Sequence, residues 1–159
     1  MTGMKIRFLG ILMLSLCYFV SGSAQSCSGF YKTSRCGFKQ SSDFKQYGQA
    51  KSAAVMVGKE YKYEAVLYGM KDYIVGACTE AGYKKIHLKI TDKKNNEVIY
   101  DNEEDDYNSN VAFSIETTTN VEIAVEIVSE KDESEDPEQY RVCLGVQILW
   151  RKIPKMGFN

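Results

Sequence analysis

Beyond residue 50 the chain alternates apolar and polar residues with a period of two, the pattern of strands that have one face buried and one face wet. In 60 to 68, Tyr61, Tyr63, Ala65 and Leu67 share one face, while Glu60, Lys62 and Glu64 share the other. The inner set is Ile86, Leu88 and Ile90 in 84 to 91, and Val111, Phe113 and Ile115 in 111 to 116. In 121 to 128 it is Val121, Ile123, Val125 and Ile127, with Glu122 and Glu126 facing water. A last strand, about 140 to 151, aligns Val142, Leu144, Val146, Ile148 and Trp150, so Cys143 points away from the main apolar row. Gly69, Ala81-Gly82 and Lys94-Asn95-Asn96 supply turn chemistry between the runs. About seven or eight short strands without a long helix predict an all-β fold, an antiparallel β-sandwich of jelly-roll type. One short helix is expected, over Ser42 to Ala50 with Ser42 as its cap.

The first 24 residues have another character. Lys5 and Arg7 precede an apolar run from Phe8 to Val20 that is too short to span a bilayer, and Ser21-Gly22-Ser23-Ala24 offers small residues for a signal peptidase. The pattern predicts a signal peptide over 1–24, cleavage after Ala24, no membrane span thereafter, and a secreted or periplasmic protein. Neither Cys17 nor Cys27 has the flanking residues of a lipid-attachment site. The remaining chain divides into a basic, Cys-containing N-terminal segment, 25–51, and a β-sandwich domain, 52–159.

Removing Lys5 and Arg7 leaves 18 basic residues against 21 acidic ones, a formal net charge of −3, which gives no bias towards nucleic acid. The charge is uneven: 25 to 51 carries +4, and the rest carries −7. The basic segment either lies against the acidic body or serves contacts outside it, with another copy of the chain or with an anionic polysaccharide. Four cysteines remain after cleavage, Cys27, Cys36, Cys78 and Cys143, an even number suited to two disulfides in an oxidising compartment. Spacing favours Cys27 with Cys36 and Cys78 with Cys143, the second bridge lying on a sheet's outer face. With no CxxC pair and one His, a zinc site built on these thiols is not expected.

The stretch Gly58 to Val75, GKEYKYEAVLYGMKDYIV, followed by IHLKITD from Ile86 and EVIYDNEEDD from Glu97, resembles the bacterial pre-peptidase C-terminal type of β-sandwich. That resemblance implies a tight hairpin, two strands and an acidic loop. The segments CSGFYK at 27–32 and RCGFKQ at 35–40, with the chain that follows, resemble small secreted bacterial proteins of uncharacterised function, a likeness that implies no activity. The sandwich is expected to stand alone after the signal peptide, without a catalytic domain, and fold alone does not fix function.

Asp101, Glu103, Glu104, Asp105 and Asp106 put five carboxylates into six residues at a strand end. Oxygen-rich loops of this kind take calcium, the one cofactor the sequence raises. It is not an EF-hand, because Asp106 and Ala112 stand where Gly and Glu would be required. The alternative is a solvated loop whose mutual repulsion blunts a sheet edge. A second acidic run, Glu130 to Glu138, reads as a hairpin excursion. Tyr68, Tyr83 and Tyr107 fall at strand ends or turns, where rings can stack on sugars or anchor a protein, or simply close the sandwich.

His87 is expected on the outward face as an ordinary surface residue, and no nucleophile-elbow, zincin or phosphate-loop motif is present. The primary expectation is a secreted, non-catalytic binding or interaction module whose partner is an envelope protein or a polysaccharide. The alternatives are a calcium-stabilised structural component of a cell-envelope assembly and a small carboxylate-dependent hydrolase, which needs only two well-placed Asp or Glu residues.

Overall fold

The computed structural model describes residues 27–36, 43–80, 85–128 and 141–153. Among these residues nine antiparallel strands follow in order: β1 (Lys45–Gln46), β2 (Lys51–Met56), β3 (Tyr61–Leu67), β4 (Lys71–Thr79), β5 (Ile86–Asp92), β6 (Val98–Asp101), β7 (Asn110–Ile115), β8 (Thr119–Ile127) and β9 (Arg141–Lys152). One sheet runs β1-β9-β4-β7, with β2 also pairing with β9; the other runs β3-β8-β5-β6. After β1, consecutive strands change sheet except at the β5–β6 hairpin. This is the jelly-roll arrangement, reached because each strand buries one face against the opposite sheet.

The alternation read from the sequence becomes the core. Leu67, Leu88, Ile90, Val121, Ile123, Ile127 and Ile148 are fully buried between the sheets, with Tyr61, Tyr63, Phe113 and Trp150 packed at the margins. Each such aliphatic side chain contributes about 1.5–3 kcal/mol on leaving water. β9 is different, because Cys143, Gln147 and Leu149 on its second face are buried as well.

That second face explains the disulfides, which pair Cys27 with Cys143 and Cys36 with Cys78. The pairing expected from spacing is therefore wrong, although the position on a sheet's outer face is right. Cys78 lies opposite Gly145 in the β4–β9 ladder, so Cys143 is a diagonal neighbour two residues away. Diagonal neighbours stand about 7–8 Å apart, too far for a bridge. Two 3₁₀ turns, Phe30–Lys32 and Ser34–Cys36, lie across this face and deliver one cysteine to each strand, with Cα–Cα distances of 5.2 Å. Gly145 makes room for them: a Cβ there would stand 2.7 Å from Cys78 Sγ, 2.8 Å from Cys36 Sγ and 2.9 Å from Tyr31 Cα.

The helix expected over Ser42 to Ala50 is absent from its described part, 43–50, where the chain instead forms β1 and a turn. Lys45 and Gln46 pair with Trp150 and Leu149, and the Tyr47 N–H donates to the Ile148 carbonyl at 2.7 Å. Sheet pairing thus takes the backbone groups a helix would have used. Gln49 Oε1 accepts from the Val66 N–H at 2.8 Å, tying this link to the other sheet. The signal peptide, the Ala81-Gly82 turn, Tyr83 and the run 130–138 lie outside the described residues.

Candidate functional site

The polar and aromatic clusters collect at opposite ends of the sandwich. Leu67, just before Tyr68, pairs with Thr119 at the start of β8, whereas His87, beside Tyr107, pairs with Glu126 near its end. At about 3.3 Å per residue, roughly 23 Å of strand separates the two levels. Tyr68 and Tyr107 therefore do not share a surface.

The acidic end is built around the turn from β6 to β7. Asp101 caps a short 3₁₀ turn, Asn102–Asp105, by accepting from the Glu103 N–H. The same Oδ1 accepts from His87 Nε2 at 2.8 Å, and Lys89 Nζ stands 3.5 Å from Oδ2. Burial pushes the Asp101 carboxyl up, but the His87 bond, the Glu103 N–H and the neighbouring positive charge outweigh it and hold the group below the usual carboxylate value. Tyr107 donates to Glu103 Oε1 at 3.4 Å, and its ring meets the imidazole edge-on at 6.2 Å. Tyr100 donates to Asp105 Oδ2 at 3.0 Å; burial first, and that carboxylate second, raise its phenol to about 12.

Asn102 locks this loop to the sheet. Fully buried, its Oδ1 accepts from the Leu88 N–H at 2.8 Å, while Nδ2 donates to the carbonyls of Ile86 at 2.8 Å and Asn108 at 2.9 Å. Its own carbonyl accepts from the Tyr107 N–H at 2.8 Å, where the chain turns through left-handed conformations at Asp106 and Tyr107. Sequence reading passed over Asn102, although one neutral amide inside a run of five carboxylates was the available signal. It also placed His87 outward, as found, without seeing Asp101 as its partner.

The five carboxylates are shared among separate neighbours. Asp101 takes His87 and Lys89, Glu103 takes Tyr107, Asp105 takes Tyr100, and Glu104 and Asp106 face outward as exposed residues. Among the described residues, ligand atoms from His87, Asp101 and Glu103 alone converge, all lying within 4.8 Å of one another.

The opposite end is aromatic and cationic. A Cβ on Gly69 would stand 2.5 Å from the Glu116 carbonyl oxygen, so the tight β3–β4 turn requires glycine. The turn leaves Tyr68 49% and Met70 64% exposed. Lys71 Nζ lies 4.8 Å from the Tyr68 ring centroid and 4.3 Å from that of Trp150. Tyr47 stands edge-on to Tyr68 and Tyr73, which fixes the base of the cluster. Arg151 donates to Asp72 at 2.8 Å and covers the Phe44 ring, while Asp43, Lys45, Trp150, Arg151 and Lys152 line an open depression alongside. Sequence reading found Tyr68 but put Trp150 wholly in the apolar row, and so missed that β9 leaves the core there.

No protein-family model matches this chain, and no curated protein matches it either. Among the described residues, no helix is long and apolar enough to cross a membrane. Two disulfides join the N-terminal segment to the sandwich, in keeping with an oxidising compartment.

Proposed function

We propose that the protein is an exported, non-catalytic binding module that uses its aromatic, cationic end to hold an anionic polysaccharide. The observation that carries this reading is Lys71 held between the Tyr68 and Trp150 rings beside exposed Met70, with Lys45 and Lys152 nearby. Exposed rings stack on the C–H faces of sugars, and ammonium groups meet the carboxylates or sulfates of acidic units. The surface rests on strand ends of a stapled sandwich, so little ordering is lost on binding. Export follows from the signal-peptide pattern, and the resemblance to accessory β-sandwich domains fits a binding role.

The test compares the mature chain's affinity for a polyuronate and for a neutral glucan. Preferential binding to the polyuronate that weakens with salt is expected. Tyr68→Ala and Lys71→Ala should each weaken it about tenfold, roughly 1.4 kcal/mol, while Tyr107→Ala leaves it unchanged. Equal binding to both polymers, no binding to either, or loss on Tyr107→Ala would overturn the proposal.

A further inference from the structure

We infer that His87, Asp101 and Glu103 form a binding site for a divalent transition-metal ion of the zinc type, at the end of the sandwich remote from the proposed polysaccharide surface. One imidazole nitrogen and two carboxylates offer ligand atoms within 4.8 Å of one another, close enough for a single ion to gather them with small side-chain movements. Each ligand stands on a fixed backbone. His87 lies in β5, which pairs with β8 and β6 on its two sides, Asp101 ends β6, and Glu103 follows in the 3₁₀ turn that Asn102 anchors. Tyr107 supplies outer support, donating to Glu103 and packing against the imidazole.

The donor set selects the ion. Calcium wants six to eight oxygens, and here two carboxylates converge while Asp105 is drawn off to Tyr100 and the exposed Glu104 and Asp106 stand outside the convergent group. Zinc accepts four ligands of mixed nitrogen and oxygen type, so three protein groups and one water complete its shell. Two contacts must yield. The Nε2–H that His87 donates to Asp101 Oδ1 is given up to solvent as the ion takes Nε2, the bound neutral ring carrying its proton on Nδ1, and Lys89, 3.5 Å from Asp101 Oδ2 with its side chain 38% exposed, swings into water. A half-exposed pair of this kind is weak, so its loss does not block the ion.

The chain contains a single histidine, which makes the test direct. The mature protein, purified without a histidine tag and stripped with chelator, is titrated with zinc chloride by calorimetry while the imidazole resonances are followed by NMR. One zinc per chain is expected, with the His87 signals shifted in step with binding. His87→Ala and Asp101→Asn should each lower affinity about tenfold or more, whereas Glu104→Gln, which alters the charge of the same loop, should not. Calcium chloride should leave the imidazole signals in place. The inference is overturned if zinc binds without moving the His87 resonances, if Glu104→Gln weakens binding as much as His87→Ala, or if the unaltered chain shows no saturable zinc binding. Because the NMR readout uses the unaltered chain, misfolding of a variant leaves it decisive.

Discussion

The two ends of the sandwich solve opposite problems with similar residue types. At the acidic end, polar groups are turned on one another: Asn102 makes three side-chain hydrogen bonds, Asp101 is held by His87 and Lys89, and disulfides fasten the N-terminal segment to the adjoining face. At the aromatic end, Tyr68 and Met70 project from a turn and Lys71 rests between two rings. The difference teaches that charge density alone does not mark a binding surface. Partnered carboxylates fix the acidic loop and leave room for one small ion at most, whereas an exposed ring beside a cation has area to offer a larger ligand.

Removing the bridge that holds the first end should have the largest effect. Replacing Cys36 and Cys78 together by Ala is expected to cost about 2–5 kcal/mol, seen as a lower denaturant midpoint than that of the unaltered chain. Retained stability would show that the turns grip the sheet without it. Asn102→Ala should come next, at about 3 kcal/mol, because it leaves the Leu88 N–H and the Ile86 carbonyl without their partner in a buried place. Urea unfolding measures this, and a cost below about 1 kcal/mol would make the acidic loop a loose attachment.

The aromatic end predicts smaller changes in stability. Ser114 and Arg151 donate to Asp72 and hold its carboxyl below the usual value, against the opposing effect of burial. Its folded-state value is depressed, so the stabilisation is present above the unfolded value of about 3.9 and disappears as pH falls through the folded one. Thermal melts should therefore decline on acidification below about pH 4, and Asp72→Asn should flatten that decline. An unaltered acid slope would show that the Asp72 pair contributes nothing. Smallest of all, Tyr68→Ala should move stability by no more than about 0.5 kcal/mol. If its thermal midpoint falls as far as that of Asn102→Ala, the aromatic end is scaffold too, and the contrast between the ends fails.

Much of the architecture was legible in the residues. Period two placed Leu88, Ile90, Val121, Ile123 and Val125 inside, and each is buried. It also turned Cys143 away from the core row, where the disulfide is found. The failures share one physical origin. Cys27 and Cys36 are near neighbours in sequence, yet the turns between them span two strands, so each finds its partner far along the chain. Ser42 offered a helix cap, yet β9 drew Lys45 and Gln46 into a sheet. The candidate sites were less legible than the fold, since Lys71, Trp150 and Tyr68 gather only because the β3–β4 turn and the end of β9 meet.

The sequence by itself determined that the chain is all-β and which residues of β3, β5, β8 and β9 face the core, because alternation is a local property that each of these strands carries alone, whereas the core residues of β2 and β4, Val55, Tyr73, Val75 and Ala77, emerged only in the fold. Tertiary structure decided which cysteines bond, which carboxylates are held and which rings stay open. Those outcomes depend on which residues stand within a few ångströms across strands, and ladder register sets that distance while position along the chain does not.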